Sequence, residues 1–488
     1  MVSYYLGALA FLLFIIVLKV VRSVANAYHR NRYMPPGPSG LPFLGNIFQV
    51  GDQQWVRFAE WKERYGPIFS LNFAGQAVVV INDFKTAAEI FDKRAGVYSS
   101  RPRFIMANDI MCGGMAFPLM SNNDLWRRMR RAAHEGFGGH SLSTYQLMHE
   151  RESALLALRM LQNPENWHMD IWRSTSAVMV SAVYGWPLTD TSSDSVVKDI
   201  MDISHRVSTA CLPGKYMVDI LPFMMHLPGW MARWKISGQT SFAKDTKLLV
   251  GLLNDVIKDM QSTTAVPCFA TTLLNDNTSG LTPEAIAWLA GIMFIAGAET
   301  TAATLTAFML AMVLHPEAIR SAQAQIDAVV GHDRLPTVND RDNLPYIAAV
   351  VREVLRWSPV TPLAIPKRST KDDWYKGHFI PADSLVILNV WAANRDTTYF
   401  SNPEEFRPER YLSPSGELSE AIPNTHGQGH LSFGSGKRIC LGKDFANQAL
   451  FMNVVFLLWA FDIRPAEDAD GQPILPSRDD LVDDGLVV

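Results

Sequence analysis

The sequence predicts a mainly α fold with a minor β portion, carried by one large domain behind an amino-terminal apolar segment. Three observations predict it. An apolar run of about 30 residues opens at Thr282-Pro283-Glu284 and stops at His315-Pro316. It has a cap residue, a first-turn proline, an acid at the positive end of the dipole, and a proline to end it. A further helix runs from Pro345 to Ser358-Pro359. Strand-like runs of β-branched and aromatic residues stand out in only two stretches, 67–82 and 367–388.

In chain order, Tyr4 to Leu18 is unbroken and apolar, and with its flanks it approaches the roughly 20 residues that cross a bilayer. Lys19, Arg22, Arg30 and Arg32 all follow it and no charge precedes it, so residues 1–22 read as an anchor with the body cytosolic. A cleavable signal is the rival, with Ala25-Asn26-Ala27 as its small-x-small site. Against it, no basic residue precedes the run, and Lys19 and Arg22 stand where a cleavage region is neutral. Residues 23–40 are a basic, proline-rich hinge, stiffened by Pro35-Pro36-Gly37-Pro38.

Residues 41–488 show no repeat, low-complexity tract or long charge run, which points to a single domain. The stretch 67–82 reads as a hairpin turning at Ala74-Gly75-Gln76. The run from Thr282 is apolar nearly all round, as a helix through the middle of a core is. Glu299 and its neighbouring threonines argue against a second membrane span. From Lys367 to Leu388, β-like runs are broken by Gly377 and Pro381.

Of the 488 residues 48% are hydrophobic and 19% charged, enough for a large core, and the net charge of −4 excludes the basic excess that nucleic acid requires. The four cysteines, Cys112, Cys211, Cys268 and Cys440, are scattered and too few for a disulfide framework. Three read as reduced thiols. The fourth sits in Phe433-Gly434-Ser435-Gly436-Lys437-Arg438-Ile439-Cys440-Leu441-Gly442. Its glycines allow a tight turn and close approach to a flat partner. Arg438, local amides and the start of an apolar helix at about Leu441 favour a thiolate. On those grounds alone a structural cysteine is the simpler reading.

The pattern Phe-x-x-Gly-x-Arg-x-Cys-x-Gly, met at Phe433, Gly436, Arg438, Cys440 and Gly442, resembles the heme-binding loop of the cytochrome P-450 monooxygenases. Glu353-Val354-Leu355-Arg356 matches that family's Glu-x-x-Arg, with Arg410 as third partner, and Trp126 with Arg130 matches its Trp-x-x-x-Arg. The resemblance covers essentially the whole chain. It implies a cytochrome P-450 fold with the long central helix over heme b and residues 41–488 as the catalytic domain. Cys440 is then the axial ligand, whose electron donation favours O–O cleavage. Phe433 packs near the sulfur, and Arg438, Trp126 and Arg130 reach the propionates. Lys367 stands where many relatives carry histidine or arginine for the same task. Glu353, Arg356 and Arg410 become a buried structural network.

The resemblance also implies that the helix opens along Ala296-Gly297-Ala298-Glu299-Thr300-Thr301, with Ala296 beside the cofactor, to make room for dioxygen, and that Glu299 and Thr300 manage protons there. The plainer alternative is that Thr300 bonds back to a helical carbonyl. By position relative to that family, the resemblance implies a pocket lined by residues 104–120 (Ile105, Ile110, Phe117), by 209–228 (Phe223), by Phe294 and Ala298 over the iron, and by Val360 to Ile365 (Val360, Leu363, Ile365). Phe223 and Trp230 have a second reading, as side chains dipping into a membrane surface.

Two electrons are expected from NADPH through a separate flavoprotein reductase, since no nucleotide fingerprint or flavin domain is evident. Arg127, Arg128 and Arg131 offer it a basic face. The segment Pro213-Gly214-Lys215-Tyr216-Met217-Val218-Asp219 is most similar in style to fungal microsomal members of secondary metabolism. These imply an endoplasmic-reticulum membrane location and a lipophilic terpenoid, polyketide or alkaloid substrate. A heme-thiolate isomerase or dehydratase is disfavoured by the intact Glu299 and Thr300, and a heme sensor by the anchor and the arginine face. The chain stops at Val488, short of the further strand that the resemblance leads one to expect.

Overall fold

The computed structural model describes residues 33–477 except 187–190, 213, 263–265 and 277. The apolar segment 1–22 and hinge residues 23–32 lie outside the described residues, as do Pro213 and the end of the chain from 478.

Helix α1 (Gln54–Tyr65) precedes the predicted hairpin, β1 (Ile68–Phe73) and β2 (Gln76–Ile81). Its turn has positive φ at both Ala74 (48°) and Gly75 (96°), the pair a tight two-residue hairpin needs. Residues 35–38 lie along β1: the Pro35 carbonyl accepts from Ser70 Oγ (2.6 Å) and the Pro36 carbonyl from Ser70 N (2.9 Å). A Cβ at Gly37 would fall 1.9 Å from the Ser70 carbonyl oxygen, so only glycine fits there. The prolines are therefore docked onto the sheet.

Helices α2 (Asp124–Phe137), α3 (Leu142–Gln162), α4 (Trp167–Tyr184), α5 (Thr191–Ala210), α6 (Arg233–Met260) and α7 (Phe269–Asn275) follow. The long helix α8 spans Pro283–Leu314, with Thr282 accepting from Ala285 N as its cap. It is apolar and long enough to cross a membrane, yet most of it is buried inside the fold. It packs on α4 so closely that a Cβ at Gly297 would meet Met179, and on α6 where one at Gly291 would meet Leu249. The glycines in this helix, costly by propensity, are what allow that approach.

Next come α9 (Pro316–Val329), α10 (Pro345–Trp357), β3 (Lys367–Arg368), β4 (Asp373–Tyr375), β5 (His378–Ile380), β6 (Leu385–Leu388) and α11 (Lys443–Ala460). Strands order β1-β2-β6-β3, with β2 and β6 parallel (Val78 opposite Leu385) and the other pairs antiparallel; β4 and β5 form a separate pair. A final pair, β7 (Ala466–Glu467) and β8 (Pro473–Ile474), closes the described chain. The fold is thus mainly helical with a small sheet at one side, as expected.

Candidate active site

The cysteine loop is held from below by its own backbone and from the side by the amino-terminal third of the chain. Cys440 N donates to the Phe433 carbonyl (2.8 Å), closing the loop. Asp92 accepts from Gly436 N (2.7 Å) and Ser435 Oγ (3.1 Å). Gly436 has φ 75° and its missing Cβ would lie 2.3 Å from the Phe91 carbonyl oxygen, so glycine is obligatory on both counts. Cys440 keeps accessible surface although the surrounding chain crowds it enough for burial to act on its thiol, the mark of a cleft at the loop. Burial pushes its thiol up; the Gly442 amide and the Arg130 guanidinium pull it back.

Around this cleft stands a group of cations. Arg438 lies over the Trp126 ring at 3.7 Å and donates to the Ser99 and Met120 carbonyls (both 2.8 Å). Arg130, one turn along α2 from Trp126, donates to the Ile439 carbonyl (3.1 Å). Arg101 is a member that sequence reasoning missed: it donates to the Pro118, Ile365 and Pro366 carbonyls. Lys367 is buried with Nζ 3.3 Å from the centre of the Phe91 ring. Among the described residues none of these four is in an ion pair.

Burial, then mutual repulsion, lowers Arg438 to about 8; the same two causes lower Arg101 to about 9. Lys367 is lowered for the same first reason, and Arg130 by burial, with the Cys440 thiolate opposing. Trp126 Nε1 is buried with no acceptor. Buried cations normally carry partners. A cluster of carbonyl-held cations and an orphaned indole N–H beside an accessible sulfur fits a flat group that brings its own carboxylates and a thiolate-binding metal.

On the other side of the cysteine loop, Glu353 and Arg356, both fully buried, form a bidentate pair (2.7 and 2.8 Å). Arg410 Nε and Arg407 N also donate to Glu353 (3.1 and 2.8 Å). The Arg356 guanidinium also reaches the carbonyls of Asn394, Pro403 and Glu405.

Midway along α8, Ala296 is exposed and Thr300, one turn on, is accessible, although the flanking turns are buried. Thr300 Oγ1 donates to the Ala296 carbonyl (2.7 Å), the plainer of its two expected arrangements. Glu299 accepts from Ser204 Oγ of α5 (2.7 Å), a partner with no local sequence signal. Phe294 and Ala298 correct the expectation that they look over the iron. Two residues to either side of Ala296, they stand about 160° round the helix. Both are fully buried in the core with α4 and α6. The face of Ala296 carries Ile292 and Thr300, one turn to either side, with Ile295 at its edge.

Ile105, Ile110 and Phe117 are buried in one apolar cluster with Trp126, against which Phe117 stacks; Ile365 packs on the same cluster. Val360 is buried, whereas Leu363 packs toward the sheet with Phe58 and Phe69. Phe223 is a second correction: it is 65% exposed, because its 3-10 turn (Pro222–His226) turns Met224 and Met225 inward instead.

A family model described as Cytochrome P450 matches residues 35–483. Monooxygenase 58 of Postia placenta is 49% identical over 93% of this chain and 86% of that protein. An Armillaria gallica monooxygenase is 42% identical (93% and 88%), and the monooxygenase iboC of Amanita muscaria 35% (92% and 88%). The class defined by fold and site is that of heme-thiolate oxygenases. The chain belongs to the cytochrome P-450 family, and it is a monooxygenase whose family implies a heme cofactor.

Proposed function

We propose that this chain is an NADPH- and dioxygen-dependent monooxygenase of a lipophilic small molecule, with Cys440 as the thiolate ligand of heme b. The observation that carries the assignment is the accessible Cys440 beside buried cations that form no ion pair among the described residues. Arg101, Arg130, Arg438 and the Trp126 indole would hold the propionates, with Phe433 and Gly436 shaping the loop beneath. Lys367 supports that set by its charge, although its ammonium faces Phe91. Heme bound there supplies activation of dioxygen, one atom of which goes into the substrate and the other to water.

The chain's residues do the rest. Arg130 and the Gly442 amide stabilise negative charge on the sulfur. Thr300 presents a hydroxyl to the cleft, its proton parked on the Ala296 carbonyl. Glu299 carries protons toward it, oriented by Ser204. Ile105, Ile110, Phe117, Ile365, Ile292 and Ile295 exclude water and favour an apolar guest.

Electrons would come from a separate flavoprotein reductase, and Arg127 and Arg131, exposed on α2, suit an acidic partner. Phe223, Trp230 and Met231 are exposed together and support contact with the membrane that the 1–22 segment would anchor, at the endoplasmic reticulum. The relatives are fungal monooxygenases, and the proposed substrate is a secondary metabolite of terpenoid, polyketide or alkaloid type. The test is the reduced, carbon-monoxide-treated spectrum. The thiolate-type Soret band is expected in the wild type and is abolished by Cys440→Ser. An unchanged spectrum in that variant removes the assignment. Product formation only with reductase and NADPH then separates the oxygenase from an isomerase.

A further inference from the structure

The turn Ile105–Ile110 starts without a capping side chain of its own, since Phe104 stands at the cap position. Its first amides therefore need outside acceptors, because an amide buried without one is costly. Asp219, 114 residues on, supplies one: Oδ1 accepts from Ile105 N (2.6 Å) and, from one position further, Met106 N (3.2 Å). The carboxylate rides on the turn Met217–Ile220. Val218 of that turn is buried in the same core cluster as Ile105, Met106 and Ile110, while Met217 and Ile220 are exposed.

A weaker tie runs alongside. Arg103 pairs with Asp109 (2.7 Å) and donates to the Met225 sulfur (3.4 Å). On its other flank the 105–110 turn is wedged against α6, where a Cβ on Gly238 would come within 2.8 Å of Ile110 and Met106. One side of the turn is held by close packing, the other by a carboxylate.

We propose that Asp219 is a positioning residue for substrate selection: it clamps the wall Ile105–Ile110 to the segment 216–225 and so sets the width of the pocket. This rests on the reading of the cleft as an oxygenase pocket. The clamp joins two segments far apart in sequence, so breaking it frees a whole wall rather than one side chain. Small ligands pass either way; bulky ones gain access. Burial raises the Asp219 carboxyl above its usual range while the Met106 and Ile105 amides oppose this, so both amides favour the ionised form.

The test compares the heme-loaded full chain with Asp219→Ala and Asp219→Asn. Amide hydrogen exchange across 105–111 is expected to rise about tenfold in Asp219→Ala, the size of losing one charge-assisted hydrogen bond. It should stay near wild type in Asp219→Asn, whose Oδ1 still accepts. The association rate of 4-phenylimidazole, read from its Soret shift, should rise several-fold in Asp219→Ala, while that of imidazole stays unchanged. Unchanged exchange overturns the clamp. Faster exchange with an unchanged 4-phenylimidazole rate, or an equal gain for imidazole, overturns its role in selection. Loss of the thiolate-type carbon-monoxide band from all three proteins would instead sink the oxygenase reading, with the exchange result standing apart.

Discussion

Two sets of buried charge flank the cysteine loop, and they are built on opposite terms. The Glu353–Arg356–Arg410 set is complete: one carboxylate, two guanidiniums, and carbonyls for the remaining N–H groups. The Arg101–Arg130–Arg438–Lys367 set has carbonyls and aromatic faces but no ion pair among the described residues. Its members repel one another. A fold tolerates the first because it closes on itself. It tolerates the second as a socket for negative charge from outside the chain.

The largest effect that would sharpen this contrast is in the complete set. Glu353→Ala leaves two buried guanidiniums unmatched and is expected to cost about 3–5 kcal/mol. Soluble, heme-retaining protein should be nearly lost, as measured by yield and by the carbon-monoxide band. A stable Glu353→Ala protein would break the comparison. In the open set, Arg438→Leu removes a cation that has no ion-pair partner among the described residues. Heme retention, measured by transfer to an acceptor protein, should fall about tenfold or more. The heme-free protein should lose less than about 1.5 kcal/mol in denaturant, far below the Glu353→Ala cost. Equal losses in both variants would erase the distinction.

His149 is a third way of managing a buried titratable group: it stays neutral. Burial lowers it from 6.5 to about 4, with Gln448 opposing through a 3.0 Å hydrogen bond to Nδ1. Below pH 6.5 the unfolded chain takes up a proton that the folded chain refuses until about pH 4. Stability therefore falls as pH drops through that window. Wild type should lose up to about 3 kcal/mol more than His149→Gln between these limits, read from denaturant midpoints. Parallel pH profiles would show that His149 is charged in the fold. The smallest effect is expected at Ser204→Ala, which loosens Glu299 without removing it. Substrate turnover should fall a few-fold with the carbon-monoxide band intact.

Much of this was legible because local rules carried it. Thr282 and Pro283 marked the long helix, Ala74-Gly75 the hairpin, and the i, i+3 spacing of Glu353 and Arg356 their shared face. Arg101 was illegible because its acceptors, Ile365 and Pro366, arrive from 264 and 265 residues away. Ser204 meets Glu299 only when α5 crosses α8, 95 residues on. Phe294 and Ala298 differ: helical periodicity sets them opposite Ala296, whereas position relative to the resembling family points them the other way. Phe223 has two readings in the sequence, inward and outward, and the exposed 3-10 turn selects the outward one.

Asp92 grips Gly436 across 344 residues of chain, and this governs when the protein can mature. A nascent chain that has made Arg101, Trp126 and Arg130 still lacks the sulfur; one that has just made Cys440 must bring both ends together before the loop is framed. Such distant pairing is slow to form. A cofactor that needs the sulfur and these cations together can be gripped fully only after that long-range contact has formed.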